Sequence, residues 1–162
     1  MSDFVFNIAR GQAVALHERV RLNDPAASAL VLVVLRLAGL ESDDVLRDYD
    51  TLSAILAAAN DEATNSGYAR KSLTDAVLTA PTIDDTLNLA RLTIPTQTWT
   101  TVAAGDTWAK LLTCYDADTG AGTDANITPI LAQDMKINGV NIIPAGTNIQ
   151  WAVPNGYYVS SS

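Results

Sequence analysis

The sequence contains few of the residues that most often carry chemistry. It has one cysteine, Cys114, and one histidine, His17, among 162 residues. A single cysteine excludes a disulfide within the chain, and one cysteine with one histidine cannot supply the ligands of a structural zinc site. A Ser-His-Asp triad has only His17 as its base, and no serine lies in a Gly-x-Ser-x-Gly elbow. We therefore expect no catalytic residue, no cofactor and no metal, and we expect that the protein is not an enzyme.

Positive charge and long hydrophobic runs are also scarce. Ten Lys and Arg residues against 18 Asp and Glu residues give a formal net charge of −8, which is unfavourable for binding nucleic-acid phosphates. The most apolar run, 29–35, is far shorter than the roughly 20 residues of a membrane-spanning helix. Asp3 and Arg10 interrupt the region where a secretory leader has its apolar segment. The sequence predicts a protein made in a cytoplasm, with no nucleic-acid partner and no membrane partner.

The charges that are present are unevenly distributed along the chain. Residues 1–91 hold 8 of the 10 cations and 13 of the 18 acids, whereas residues 92–162 hold 2 and 5. The second part is instead rich in Thr, Asn, Gly and Pro. This composition is typical of compact β structure whose surface is partly covered by neighbours.

The first third of the chain shows strand patterns and one turn. Phe4, Phe6 and Ile8 alternate with other residues, which predicts a strand. Residues 1–10 would then be an N-terminal arm that pairs outside its own domain. Residues 12–22 favour a strand but tolerate a helix. With an Asn-Asp-Pro turn at 23–25 and a strand buried on both faces at 29–35, we expect a hairpin around 12–37.

One region has helical spacing. Apolar residues recur at helical intervals between residues 45 and 56. Ser42 is placed to cap a first helix, and Asp50 or Thr51 a second. We expect one or two short helices over about residues 43–59, ending at Asn60.

The rest of the chain has the pattern of short strands. They are predicted at 68–73, 87–94, near Trp99, and at 108–115, 127–131, 135–137, 140–143, 149–153 and 157–159. Asn138-Gly139 and Asn155-Gly156 supply the positive φ angles of type I′ hairpin turns. The fold class predicted is mainly β, an antiparallel β-sandwich or a jelly-roll-like barrel. Residues 11–162 are expected to form one domain, with a subdivision near residues 80–95 left open.

Two candidate sites have simpler explanations. Cys114 lies in an apolar strand, where a free cysteine is usually a small buried hydrophobe rather than a nucleophile paired with His17. Asp116, Asp118 and Asp124 lie in a Gly/Asp/Thr loop that lacks the glycine and glutamate positions of an EF-hand. Whether these three carboxylates hold a cation in a less regular way is left open.

A third candidate site consists of aromatic residues. Trp99, Trp108 and Trp151, with Asn, Gln and Asp nearby in the sequence, are able to build a sugar-binding face. Tryptophans of β domains belong more often to the core. Both interpretations stay open at this point.

Two long stretches resemble segments of small virion proteins of tailed bacteriophages. They are DYDTLSAILAAANDEATNSGYARKSLTDA at 48–76 and KLLTCYDADTGAGTDANITPI at 110–130. In the second stretch, a strand ends in a Tyr-Asp pair, a Gly/Asp/Thr loop follows, and the chain resumes with an Ile-x-Pro strand. A third segment, Asn155-Gly156-Tyr157-Tyr158, resembles the aromatic residues at the hairpin end of the same proteins. The resemblance touches about half of the chain and carries no active-site residue.

The resemblance implies a structural role in a virion. Its most concrete form is a capsid decoration, or cement, protein on the outer surface of the head, made in the host cytoplasm. The implied partners are the major capsid protein and copies of the chain itself, arranged as a homotrimer. The expected interface residues are Phe4, Val5, Phe6, Tyr157 and Tyr158. The alternatives are a tail, fibre or baseplate component and a carbohydrate-binding β module.

Overall fold

The computed structural model describes residues 2–153 and 156–161. In chain order its helices and strands are β1 (Phe4–Val5), α1 (Ala13–Arg21), β2 (Ala29–Arg36), α2 (Asp43–Leu46), α3 (Leu52–Ala57), β3 (Lys71–Leu73), β4 (Thr82–Asp84), β5 (Leu89–Leu92), β6 (Gln97–Val102), β7 (Trp108–Asp116), β8 (Thr128–Asp134), β9 (Lys136–Ile137), β10 (Val140–Asn141), β11 (Thr147–Trp151) and β12 (Tyr158–Ser161). Short 3-10 helices cover Asn7–Ala9 and Asp124–Asn126.

A five-stranded antiparallel sheet organises the chain. Its strand order is β1-β8-β7-β2-β3, and β2 and β7 are paired along almost their whole length, from Ala29 opposite Asp116 to Arg36 opposite Trp108. Smaller antiparallel sheets join β6 to β11, β9 to β10, and β4, β5 and β12 to one another. The prediction of a mainly β, antiparallel, sandwich-like fold is confirmed.

The two central strands are buried on both faces and separate two cores. Because side chains alternate along a strand, Leu30, Leu32 and Val34 face one core, whereas Val31, Val33 and Leu35 face the other. The first core also receives α1, the β6–β11 sheet and Leu92 of β5. The second core receives residues of β1, α2 and α3. The strand predicted at residues 29–35 is therefore confirmed, including its burial on both faces.

The segment after Gly11 forms a helix, so the prediction of a hairpin around residues 12–37 was wrong. The buried residues of α1 are Ala13, Leu16, His17 and Val20, which follow the i, i+3, i+4, i+7 spacing of one helical face. A strand alternation would have placed Glu18 on the same side as Leu16 and Val20 and buried its carboxylate. The turn at residues 23–25 was correct, and it joins a helix to a strand.

The two short helices lie where the sequence placed them. Ser42 precedes α2 without a capping hydrogen bond from its side chain, whereas Thr51 Oγ1 accepts a hydrogen bond from the backbone N–H of Ala54 at 3.1 Å. The split into two helices at Thr51 is thus confirmed. No helix among the described residues has the length and apolar character that crossing a membrane requires.

The N-terminal segment is built into the central sheet. β1 pairs with β8 of the same chain, with Phe4 opposite Ala132 and Val5 opposite Leu131. Ile8 lies in a 3-10 helix rather than in the predicted strand. Apolar burial explains this arrangement, because the rings of Phe4 and Phe6 fill the second core. Residues 2–10 therefore lie along the sheet rather than extending from it as an arm.

Turn chemistry accounts for the C-terminal hairpins. Asn138 and Gly139 both have positive φ angles, 53° and 80°, as the predicted type I′ turn requires, and they join β9 to β10. The second predicted turn, Asn155-Gly156, includes Asn155, which lies outside the described residues. The short strand β4, between Pro81 and the next turn, was not predicted.

Substitution of Leu32 tests the two-core arrangement. Leu32 is fully buried in the first core, so Leu32→Ala removes apolar contacts and leaves a cavity. We expect the free energy of unfolding to fall by roughly 2–5 kcal/mol. Chemical denaturation measures this change, with Leu22→Ala as the control because Leu22 is 62% exposed. Equal losses in the two variants would contradict the burial described here.

Candidate interaction surfaces

The N-terminal residues expected at an interface belong mostly to the core. The rings of Phe4 and Phe6 are buried and lie with their centroids 5.2 Å apart. Arg47 and Lys110 place their cationic groups over the Phe4 ring at 5.2 and 5.1 Å. Val5 is half-buried. What this segment leaves open to a neighbour is the outer edge of the two-residue strand β1.

The two C-terminal tyrosines expected at an interface differ in burial. Tyr157 is buried, and burial raises the pKa of its hydroxyl. Tyr158 is half-buried on β12, opposite Leu92. Of the five expected interface residues, Val5 and Tyr158 thus retain side-chain exposure.

His17 is a fully buried, hydrogen-bonded core residue. Its Nε2 lies 2.9 Å from the carbonyl oxygen of Thr79, and its Nδ1 lies 2.9 Å from the hydroxyl oxygen of Tyr157. A carbonyl only accepts, so Nε2–H donates to Thr79 and Nδ1 accepts from Tyr157. Burial lowers the pKa of His17, opposed by the hydrogen bond to Thr79. The imidazole therefore joins α1 to two distant segments.

Cys114 and His17 cannot act as a nucleophile and base, because they occupy different cores. Cys114 is buried in the second core, whereas Tyr157, the partner of His17, belongs to the first. The central sheet lies between them. Burial also raises the pKa of the Cys114 thiol, which keeps the thiol protonated and weakly nucleophilic.

The acidic loop uses its carboxylates internally. Asp116 accepts a hydrogen bond from the N–H of Asp118, and Asp118 accepts one from the N–H of Gly120. Asp124 instead binds Arg70 at 2.6 Å, and hydrogen bonding from that guanidinium lowers the pKa of Asp124. Within residues 2–153 and 156–161, no group of three or more His, Cys, Asp or Glu side chains is arranged to hold a metal ion.

The three tryptophans do not form one exposed face. Trp99 and Trp108 are buried and pack edge-to-face with centroids 5.3 Å apart. Their indole N–H groups donate to the carbonyl of Ala69 and to Asn65 Oδ1. Trp151 is half-buried. The core interpretation therefore holds for Trp99 and Trp108, and the three rings do not share one exposed face.

Lys110 is the polar feature that the sequence analysis missed. This fully buried lysine in β7 places Nζ 2.7 Å from Asp134 Oδ1, 3.0 Å from Asp43 Oδ1 and 3.1 Å from the carbonyl oxygen of Ser2. Burial alone would raise the pKa of Asp134, but hydrogen bonds from Lys110 and Lys136 lower it. One ammonium group thus holds β8, α2 and the N-terminal segment together. In the sequence, this buried lysine is indicated only by a charged residue within the otherwise apolar start of the strand predicted at 108–115.

Exposed aliphatic side chains form two groups that the sequence analysis also missed. The hairpin patch consists of Ile137, Val140 and Ile143, on and directly after the β9–β10 hairpin. The sheet patch consists of Ile83 on β4, Leu87 in the turn between β4 and β5, and Val159 on β12. Isolated exposed apolar residues are common, whereas contiguous groups of them mark interaction surfaces. The hairpin patch is such a group, and the sheet patch is divided between the two sides of its sheet.

The sheet patch has exposed aliphatic side chains on both sides of its sheet, although the side that carries Ile83 is covered at Leu92. Ile83 lies opposite Ala90, whereas Val159 lies opposite Arg91. Neighbouring residues of a strand point to opposite faces, so Ile83 and Val159 are on different sides. Leu92 is fully buried in the first core, whereas the same side of the sheet is open at Ile83. The opposite side presents the exposed Val159.

No family model matches the chain, and no curated protein and no solved structure matches it. The resemblance in the sequence and the surfaces described above are therefore the basis for assigning a function.

Acidification tests the buried state of His17. Because its folded pKa is lowered, the native state binds fewer protons than the unfolded state below about pH 6.5. The stability that comes from the neutral, buried His17 is therefore fully present above that pH. The free energy of unfolding decreases as the pH falls below it, by at most about 1.4 kcal/mol per pH unit. Denaturant titrations between about pH 7.5 and 5.5 measure the slope. His17→Gln should flatten it, and an unchanged slope would contradict this role.

Substitution of Lys110 tests the buried ion cluster. Lys110→Met keeps the length of the side chain but removes the cation shared by Asp43 and Asp134. Removing one partner of a buried pair costs roughly 3–5 kcal/mol of stability. Lys136→Met is the matched control, since Lys136 also binds Asp134 but is 30% exposed. Denaturation should show a much smaller loss for Lys136→Met, and similar losses would refute the cluster's importance.

Proposed function

We propose that the chain is a structural virion protein that decorates the outer surface of a phage capsid through protein–protein contacts. The resemblance of the sequence at residues 48–76, 110–130 and 155–158 supports the virion role. The sheet patch is the observation in the fold that carries the proposal, because it presents exposed aliphatic residues on both faces of one small sheet. Surfaces of this kind are covered when a protein packs among neighbours.

The role in assembly is thermodynamic. A protein that binds the mature lattice and not its precursor stabilises the mature lattice by mass action. Lattice contacts require a rigid scaffold, and the doubly buried β2–β7 pair with its two cores supplies one. The major capsid protein and copies of the chain itself are the proposed partners.

The electrostatics favour the outside of the shell. The net charge of −8 opposes contact with packaged nucleic acid. Most of the acidic residues belong to residues 1–91, which include α2 and the loops around it. An acidic outer surface is also compatible with solubility of the finished particle.

Particle composition tests the proposal. Quantitative mass spectrometry of purified particles should find the chain at a copy number comparable with that of the major capsid protein. Release by dilute denaturant should leave a DNA-filled shell that is less stable to heat, and adding back the protein should restore that stability. A few copies per particle, confined to the tail, would contradict the decoration role.

The sheet patch itself is tested by variants in the add-back experiment. Ile83→Asp places a charge at a residue that is 64% exposed, so folding should be unaffected while binding to stripped shells weakens. Leu22→Asp is the matched control, because Leu22 is equally exposed but follows α1. Equal binding of the two variants would exclude the sheet patch as the contact surface.

A further inference from the structure

The hairpin patch forms the wall of an apolar groove. Ile137, Val140 and Ile143 are 60%, 61% and 68% exposed. Val140 lies directly opposite Ile137 across the hairpin, so the two side chains share one face. Between the hairpin and β11 lies a groove of about 380 Å³, with the buried side chains of Ile142 and Ile149 at its base.

The chain segments that form and flank this groove contain no charged residue, although the ammonium of Lys71 lies 5.6 Å from the ring of Trp99 in β6. Residues 137–161 contain no Asp, Glu, Lys, Arg or His, and residues 92–105 contain none either. These two segments are neighbours in space because β11 pairs with β6. The adjacent Lys136 is neutralised by Asp134 at 2.8 Å. The hairpin patch and the β6–β11 ribbon thus form one region that has no charged side chains of its own, on a protein of net charge −8, and we call this region the neutral face.

Charge determines what can cover the neutral face. A cationic partner would gain more by binding the acidic remainder of the surface, and an anionic partner would be repelled by that remainder wherever it bound. Two copies of this chain repel each other over most of their surfaces, and their neutral faces are where they can approach without placing like charges together. Charged residues are likewise depleted at the centres of protein interfaces.

We infer that two copies of the chain associate through their neutral faces, with Ile137, Val140 and Ile143 as the apolar anchors. This deepens the proposed structural role and rests on it, since that role expects copies of the chain to pack together. A stable interface buries roughly 800 Å² of each partner, which requires contacts beyond the nine residues that line the groove. The contact therefore extends over the β6–β11 ribbon, where the exposed Thr100, Asn148 and Gln150 supply a polar rim.

Sedimentation velocity of the purified full chain tests the inference over a range of protein concentrations and at low and high salt. The wild-type chain should self-associate, and association should strengthen with salt because screening reduces the repulsion between acidic copies. Ile143→Asp should weaken association by about tenfold or more, since it buries a charge at an anchor. Leu22→Asp adds the same charge at a similarly exposed residue, 62% exposed and directly after α1, which lies outside both exposed patches, and it should leave association unchanged.

Each other outcome overturns the inference. A wild-type chain that stays monomeric at every concentration, association that weakens with salt, or equal effects of Ile143→Asp and Leu22→Asp would each exclude the neutral face as the contact. Thermal unfolding of both variants checks that they remain folded. The copy number in particles is measured separately, so failure of self-association is distinguishable from failure of the decoration role.

Discussion

The pairing of β2 with β7 divides the interior into two cores, and each remaining element is positioned by the core that it covers. Both strands are buried on both faces, so neither can be solvated on any side. One face requires α1 and the β6–β11 ribbon, and the other requires β1, α2 and α3. Because apolar side chains must cover both faces of these strands, Phe4 and Phe6 pack into the second core instead of projecting towards a neighbouring molecule.

Buried polar groups then fix how the covering elements meet. Lys110 brings an ammonium group into the interior, where Asp43, Asp134 and the carbonyl of Ser2 compensate its charge. His17 performs the corresponding task on the other side by joining α1 to Tyr157 and Thr79. The few residues capable of chemistry are thus used to hold segments that are distant in sequence. The surface that remains is divided into acidic regions and a region without charged side chains of its own.

Elements that are set by residues adjacent in the chain could be predicted from the sequence, whereas elements that are set by contacts between distant residues could not. The strand at 29–35, the cap at Thr51 and the turn at Asn138-Gly139 depend on residues adjacent in the chain. The segment 13–21 satisfied both a strand and a helix pattern, and the sheet face that it covers selected the helix. The alternation of Phe4, Phe6 and Ile8 predicted a strand that the structure forms only at Phe4–Val5, and it carried no information on the partner strand. The hairpin patch and the sheet patch could not be predicted from the sequence, because the exposure of a side chain depends on tertiary packing.

The sequence by itself determined the mainly β fold class, the doubly buried central strand, the acidic balance and the neutral C-terminal composition, since each follows from residue type and local spacing. Only the tertiary structure decided which aromatic residues are core, that Lys110 is buried between two carboxylates, and that the uncharged segments meet on one face. The physical reason is that burial and charge compensation depend on which distant residues surround a side chain, and strand pairing across the sheet sets those neighbours.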